Sequence, residues 1–396
     1  MRYPSFVRLW AGSIVSNVGT QMNNVAKLWI LYVLTHSAFA LGMEGLCFSV
    51  PIIVLPLMAG PVVDRVDRRT VLKFTMAAEA AEAGALAAVA AAGQLRPWII
   101  YLAAGFEAAR LAFDIPARTA LTTALVPGKA LLSAQSLSAV VWSSAALAGP
   151  ALGGLLLATT SAAVVFAVNS LSTAAALVAF LPLRRATLHA VPSGEDAPTG
   201  LTAGLRFAWR QHELLGLEAV LLATSTLVIG TEILLPVLDQ TLWHGGSAAY
   251  GLLRMAPGIA AVLAGVGLST MRQVRRPARV IALGVICACA GLIAFTEAPV
   301  LAAGIVLLVL ASFALSTAQI HIATRVQQVT PDQLRGAISG ISAISQSGLA
   351  GVAAAGMAVI AASLGARSTI IGAAAIIALA VLISRALAWL THRARS

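Results

Sequence analysis

Long apolar runs separated by short polar or charged segments dominate this chain of 396 residues. A helix needs roughly 20 apolar residues to cross the hydrocarbon core of a bilayer. The runs predict twelve such helices, at 8–34, 39–63, 70–93, 97–118, 130–158, 160–182, 213–242, 248–271, 279–296, 299–324, 337–363 and 367–390. Gly and Ala are frequent within them, which favours close helix packing where lipid provides no hydrophobic drive for association. The pattern indicates an all-α membrane protein.

Composition supports this reading. Hydrophobic residues make up 59% of the chain and charged residues 10%, whereas soluble proteins average roughly 25% charged residues. The net charge is +11, but the basic residues lie between apolar runs rather than on one polar face, so a nucleic acid partner is not expected. The expected partner of most of the surface is the lipid bilayer.

Basic residues collect in alternate loops. Cytoplasmic loops of membrane proteins carry an excess of Lys and Arg. With a cytoplasmic N-terminus, the inner side holds, among others, Arg65, Arg68, Arg69, Arg272, Arg275 and Arg276, and the outer side holds Arg96, Arg254 and Arg367. An even number of helices places both termini in the cytoplasm.

One polar stretch, 183–212, divides the chain. It contains VPSGEDAPTG, a composition typical of a flexible linker. The following GLRFAWRQHELLGL has apolar and basic residues at helical spacing and is expected to lie along the membrane surface. We therefore expect an N-terminal six-helix bundle at 1–182, a cytoplasmic linker with an amphipathic helix at 183–212, and a C-terminal six-helix bundle at 213–396.

The two halves resemble each other. GPVVDRVDRR (60–69) follows the second predicted helix, and GLSTMRQVRR (267–276) follows the eighth. Both begin with glycine and end with a basic pair. Two related halves with a site between them near the bilayer midplane are the usual build of a secondary transporter.

At this loop the sequence resembles the major facilitator superfamily, over essentially the whole chain. GPVVDRVDRRTVL is similar to the superfamily signature between the second and third helices, although Asp67 stands where the family usually has glycine. The resemblance implies two pseudo-symmetric six-helix bundles. It also implies a gating loop that latches the halves together, formed by Gly60, Asp64, Arg65, Arg68 and Arg69. A purely topological role of this basic loop is the alternative.

The fifth predicted helix narrows the resemblance. ALAGPALGG (146–154) is similar to the motif of drug:proton antiporters, with matches at Gly149, Pro150, Gly153 and Gly154. Further segments, such as VTPDQLRGAISG, are similar to exporters of the enterobactin-exporter and macrolide-efflux type. In related antiporters the glycine motif seals a contact between the halves and limits proton leak. An ordinary, tightly packed membrane helix is the alternative.

Ionisable residues inside the predicted helices are candidates for coupling. Each costs roughly 2.5–3.5 kcal/mol at a helix centre on insertion scales and so needs a partner or water. Glu107, Arg110 and Asp114 lie on one helix face, as a structural triad or as a proton relay. Glu79 and Glu82 of the preceding helix are either protonated or reach Arg110. Glu232 is the deepest acid of the seventh helix and a further candidate for cation or proton binding.

Two outer pairs and a polar cavity complete the candidate sites. Lys27 and Glu44 have similar predicted depth and can pair, as can Glu232 or Asp239 with Arg254, either as structural salt bridges or as an outer gate. Polar and aromatic positions that can line a substrate cavity, or simply pack, are Asn17, Gln21, Asn24, Trp142, Gln319 and His321.

These features favour a proton-coupled exporter of an amphiphilic small molecule, such as a drug, macrolide or siderophore. It would lie in the bacterial inner membrane as a monomer. An importer or facilitator of a sugar or other metabolite is the alternative, and a non-transporting sensor or polytopic enzyme is the alternative of a different class. The chain lacks H-E-x-x-H, G-x-S-x-G and P-loop motifs. Cys47, Cys287 and Cys289 form no metal or disulfide framework. We therefore expect no enzyme activity, cofactor or metal.

Overall fold

The computed structural model describes residues 4–56, 66–126, 131–181, 201–269 and 277–393, and within these ranges it contains helices and no strand. The helices are α1 (Pro4–Thr35), α2 (Ala38–Val54), α3 (Arg68–Ala91), α4 (Pro97–Leu125), α5 (Leu131–Thr159), α6 (Ala162–Phe180), α7 (Leu201–Arg210), α8 (His212–Leu242), α9 (Gly246–Arg254), α10 (Ala256–Ser269), α11 (Pro277–Thr296), α12 (Leu301–Val329), α13 (Arg335–Ala343), α14 (Ala350–Leu364) and α15 (Ala366–Arg393).

The described part of each predicted apolar segment is mainly helical, but some ends differ. The fourth was expected to end at 118, whereas α4 continues to Leu125. Arg118 lies within this helix, and its guanidinium pairs with Asp114 one turn earlier. The end of the predicted segment 39–63 lies outside the described residues.

Two of the predicted segments are interrupted. The eighth divides at Met255 into α9 and α10, next to Pro257, which has no backbone N–H to donate to the preceding turn. The eleventh contains a π-helical turn, Ile344–Leu349, between α13 and α14. Such turns are rare and are found frequently at functional sites.

The chain forms two compact units. Unit 1 comprises Met1–Glu195 and Gly245–Gly258. Within it α1 packs on α5 and α6, α3 packs on α4 and α6, and α2 packs on α4. The short α9 packs against α5 although it comes much later in the sequence.

Unit 2 comprises Asp196–His244 and Ile259–Ser396. Here α11 packs on α12 and α15, while α14 packs on α8 and α15. The short α7, at the position of the predicted amphipathic helix, packs on α13. It buries Ala208 and exposes 71% of Trp209. Residues 182–200, which include most of the predicted linker, lie outside the described residues.

Nine helical segments of the described chain are long and apolar enough to cross a membrane. They include the segment Gly246–Leu268, which spans α9 and α10, and the segment Asp332–Leu364 around the π turn. The protein is a multi-pass membrane protein.

Candidate functional site

A row of alternating charges runs along one face of α4. Glu107, Arg110, Asp114 and Arg118 follow each other at spacings of three or four residues, which places them on the same helix face. The first three are almost fully buried. We call this row the α4 charge ladder. Helices α1 and α3 supply its partners.

The first rung is an ion pair between α1 and α4. The Lys27 ammonium, only 1% exposed, donates to the Glu107 carboxylate. The Asn24 side chain hydrogen-bonds to the same carboxylate. The predicted ion pair between Lys27 and Glu44 is therefore wrong, because the direct partner of Lys27 is Glu107. Glu44 lies within electrostatic range of Lys27, but α4 brings Glu107 into direct contact.

The second rung joins α4 to α3. Arg110 Nη1 lies 3.1 Å from Glu79 Oε2, and both side chains are buried. Thr20 of α1 donates to Glu79 Oε1 at 2.5 Å. The expectation that an acid of the third helix reaches Arg110 is confirmed. This direct partner is neither Glu107 nor Asp114.

The third rung contains Asp114 and Arg118. Arg118 Nε donates to Asp114 Oδ2 at 3.0 Å, and Thr75 of α3 donates to Asp114 Oδ1 at 2.8 Å. Arg118 Nη1 also donates to Ser13 Oγ of α1 at 2.7 Å. Each rung therefore connects α4 to at least one neighbouring helix.

Beside this third rung lies a small recess of about 30 Å³ between α1, α4 and α5. Its lining includes two residues expected in a substrate cavity, Asn17 and Trp142, together with Arg118. Trp142 is 50% exposed. The recess brings an aromatic surface, a cation and hydrogen-bonding groups together.

The glycine motif of α5 lies at two close helix crossings. A Cβ added at Gly153 would lie 2.8 Å from Met22 Cα of α1, and one added at Gly154 would lie 2.7 Å from Gly251 Cα of α9. Such distances exclude any side chain unless the backbones separate. The expected tight helix approach is therefore present in unit 1.

The other motif positions support these crossings. Gly149 packs against Gln21 of α1, and the Pro150 carbonyl approaches Gly251. Next to them the Trp29 and Tyr250 rings stack with centroids 5.6 Å apart. Gln21 thus contacts the motif, while its expected role toward substrate remains a prediction.

Only part of the expected gating loop is described. Gly60, Asp64 and Arg65 lie outside the described residues. Asp67 caps α3, accepting a hydrogen bond from the Arg69 backbone N–H at 3.0 Å and pairing with the Arg69 guanidinium at 2.5 Å. The departure from glycine at position 67 thus provides a helix N-cap. Arg68 begins α3 and is partly exposed.

The expected residues of unit 2 lie on α8 and α12. Glu232 is partly buried on α8, and Asp239 is fully buried on the same helix. Gln319 Nε2 lies 3.5 Å from Ser225 Oγ. His321 Nδ1 lies 2.9 Å from the Thr317 carbonyl of its own helix. Arg254, expected to pair with Glu232 or Asp239, ends α9, and this pairing stays a prediction.

Sequence reasoning missed several polar partners. Thr20, Thr75 and Ser13 gave no pattern that distinguishes them from ordinary packing residues. Arg118 was treated as a loop residue, although its spacing of four from Asp114 was a usable signal. In unit 2, Ser342 donates to Glu218 at 2.5 Å, and neither residue was singled out. Within the described ranges no three His, Cys, Asp or Glu side chains are grouped as metal ligands.

Comparison with known proteins agrees with this architecture. A family model described as "Transmembrane secretion effector", within the major facilitator superfamily, matches residues 1–394. The structure resembles a bacterial homologue of the human lysosomal transporter Spinster, with a TM-score of 0.74 and 12% identity over 95% of this chain and 94% of that one. It also resembles the nucleoside transporter NupG, with a TM-score of 0.69 and 12% identity over 97% and 99% of the two chains.

Curated relatives are more similar in sequence. An uncharacterised MFS-type transporter, YfiS of Bacillus subtilis, is 28% identical over 56% of this chain, but the match spans only 54% of YfiS. The enterobactin exporter EntS of Salmonella typhimurium is 23% identical over 86% of this chain and 81% of its own length. The family match covers almost every residue, and the chain therefore belongs to the transmembrane secretion effectors of the major facilitator superfamily of transporters.

Proposed function

We propose that the protein exports an amphiphilic small molecule across the bacterial inner membrane in exchange for protons, by alternating access. The observation that carries the proposal is the α4 charge ladder, which runs through the interior of unit 1. Ionisable residues in membrane helices are costly and usually mark substrate pathways or proton relays. A ladder of alternating charges places cations next to the carboxylates of neighbouring helices, so gain or loss of one proton there changes which charges pair.

The glycine crossings support alternating access. Helices α5 and α9 contact each other through Gly154 and Gly251, backbone against backbone. Such a contact can exclude water and ions, and because no interlocking side chains hold it together, it can open in another state. Loss of this seal would let ions pass without substrate. The same motif in the antiporter branches favours export over import of a nutrient.

The recess beside Arg118 supports the class of substrate. Trp142 offers an aromatic face, Asn17 offers an amide, and Arg118 offers a positive charge. At about 30 Å³, against roughly 300–1,000 Å³ for a ligand pocket, the recess would contact only one edge of a substrate, and an apolar ring next to a polar or anionic group matches its lining. EntS is named as an enterobactin exporter, so a siderophore is one member of this class to test.

We further propose twelve membrane spans with both termini in the cytoplasm. Nine apolar segments of the described ranges are long enough to cross the membrane. We count α1, α2 and α4 as the remaining three of the twelve spans. Polar side chains on α1 and the ladder on α4 lower the mean hydropathy of these two helices, and α2 is described over only 17 residues. The basic loops support the orientation.

The test uses inside-out membrane vesicles with an imposed pH gradient, acid inside. A panel of amphiphilic dyes, macrolides and catecholate siderophores is offered outside. We expect at least one compound to accumulate and to leave again when a protonophore collapses the gradient. The matched control is Glu297→Gln, which removes an exposed carboxylate paired with Arg367 and should transport normally. Accumulation that ignores the gradient would refute proton coupling.

A further inference from the structure

Glu82 is a carboxylate that the ladder does not use. It lies on α3 three residues after Glu79, and its Oε1 is buried with no hydrogen-bond partner in the described structure. The side chain as a whole is partly exposed. A buried polar atom without a partner destabilises the folded chain, and the cost is larger when the group is charged.

The charges of the cluster do not balance. Among the described residues next to Glu82, three carboxylates surround two cations: Glu79, Glu82 and Glu107 around Lys27 and Arg110. Glu107 pairs directly with Lys27, and Glu79 pairs directly with Arg110. Glu82 shares Lys27 and Arg110 with their primary partners and has no cation of its own.

The surroundings of Glu82 define what can act on it. Lys27 faces it from α1, Glu107 and Arg110 face it from α4, and Glu79 faces it from its own helix. The other helix packed against α3 is α6, whose sequence Ala162–Phe180 contains no ionisable residue. Two cations that are already paired and two carboxylates therefore set its electrostatic environment.

We propose that Glu82 is the residue that binds the coupling proton, and that its ionised form competes with Glu107 for Lys27. This inference rests on the proposed proton-coupled function. With Glu82 protonated, the two carboxylates and two cations around it pair one to one, Glu107 with Lys27 and Glu79 with Arg110. When the proton leaves for water, only the carboxyl O–H bond breaks, and the new negative charge attracts the Lys27 ammonium.

The proposed competition connects protonation to movement. Lys27 lies on α1, Glu82 on α3 and Glu107 on α4, so a shift of the ammonium from one carboxylate to the other changes which helix α1 is held against. Helix α1 also contributes Asn17 to the recess and Met22 to the glycine crossing. A change in the contacts of α1 therefore alters both the recess and the glycine crossing. Glu107 and Asp114, earlier candidates for the relay, already form direct ion pairs with Lys27 and Arg118 when Glu82 is protonated.

The first test needs no substrate. Infrared difference spectra of the detergent-purified full chain, taken between mildly acidic and mildly alkaline buffer, report carboxyl groups that gain or lose a proton. We expect the wild-type protein and the Glu297→Gln control to share a buried-carboxyl band that is absent in Glu82→Gln. An unchanged band in Glu82→Gln would overturn the proposal. Glu82→Asp, which keeps the carboxyl, should retain a shifted band.

The second test separates this inference from the proposed function. In inside-out vesicles, Glu82→Gln should lose at least tenfold of gradient-driven accumulation of any compound that the wild type accumulates, yet should retain exchange of labelled for unlabelled compound. Gradient-driven accumulation by Glu82→Gln would overturn the role of Glu82 and leave proton coupling intact. Wild-type transport that ignores the gradient would refute proton coupling, and the infrared band would still report whether Glu82 binds a proton.

Discussion

Arg110 and Glu79 form a buried ion pair that links α4 to α3, with Nη1 and Oε2 3.1 Å apart. Thr20 of α1 donates to the same carboxylate, so three helices meet at one charge pair. Removal of one partner from a buried pair leaves an uncompensated charge and costs about 3–5 kcal/mol. Removal of both charges is often much less harmful.

This relationship predicts a non-additive pair of mutations. Arg110→Gln alone should lower the unfolding temperature of the detergent-purified protein markedly, because Glu79 is left buried without its cation. The double variant Glu79→Gln/Arg110→Gln should recover most of the loss. Intrinsic fluorescence during heating measures both. A double variant as unstable as the sum of the two single variants would show that the pair does not act as a unit.

A second prediction concerns the glycine crossings. Gly154→Ala places a methyl group against the backbone of Gly251, and such overpacking typically costs about 1–3 kcal/mol. We expect a lower unfolding temperature and increased proton leak into vesicles, followed with a pH-sensitive dye. The matched control is Gly265→Ala, where nothing lies within 4 Å of the added atom. Equal behaviour of the two variants would refute a sealing role.

The third prediction tests orientation. Gln94 is exposed in the turn after α3, and Gln211 is exposed between α7 and α8. In spheroplasts, a membrane-impermeant maleimide should label Gln94→Cys and should label Gln211→Cys only after permeabilisation. The starting variant carries serine at the three native thiols, Cys47, Cys287 and Cys289. The reverse labelling pattern would invert the topology and remove the basis of the proposed export direction.

Much of this fold could be predicted from apolar run length alone, because backbone hydrogen bonds must be satisfied within each segment that crosses lipid. The charged face of α4 was equally visible, since spacings of three and four define a helix face. The glycine motif could be recognised at Gly149 and Gly153 because the resemblance supplied a pattern. These features depend on local sequence or on a known motif.

The pairing partners could not be predicted in the same way. The depths estimated for Lys27 and Glu44 were similar, but depth does not state which helices are neighbours. Because α1 packs against α4, Lys27 forms its ion pair with Glu107 instead. Similarly, the approach of Gly251 to Gly154 depends on α9 packing within unit 1, and no local pattern indicates a contact between residues so far apart in sequence.

The last prediction follows from the surroundings of Lys27. This one ammonium faces three carboxylates, Glu107, Glu82 and Glu44. Lys27→Met would leave all three without it, whereas Glu107→Gln would leave Lys27 with two acids nearby. We therefore expect Lys27→Met to lose about 3–5 kcal/mol and Glu107→Gln to lose clearly less. Thermal unfolding in detergent at equal ionic strength compares them, with Glu297→Gln as the control.

The pH dependence of the unfolding temperature tests the same explanation. Acidification protonates carboxylates that have lost their cation, so the Lys27→Met variant should regain stability relative to the wild type as the pH falls. Glu107→Gln retains the ammonium and has one carboxyl fewer, so its deficit should respond less. A Lys27→Met deficit that stays constant with pH would mean that lost packing of the lysine stem, rather than unbalanced carboxylates, causes the instability. In that case Lys27 would be a structural residue and could not be the charge for which Glu82 and Glu107 compete.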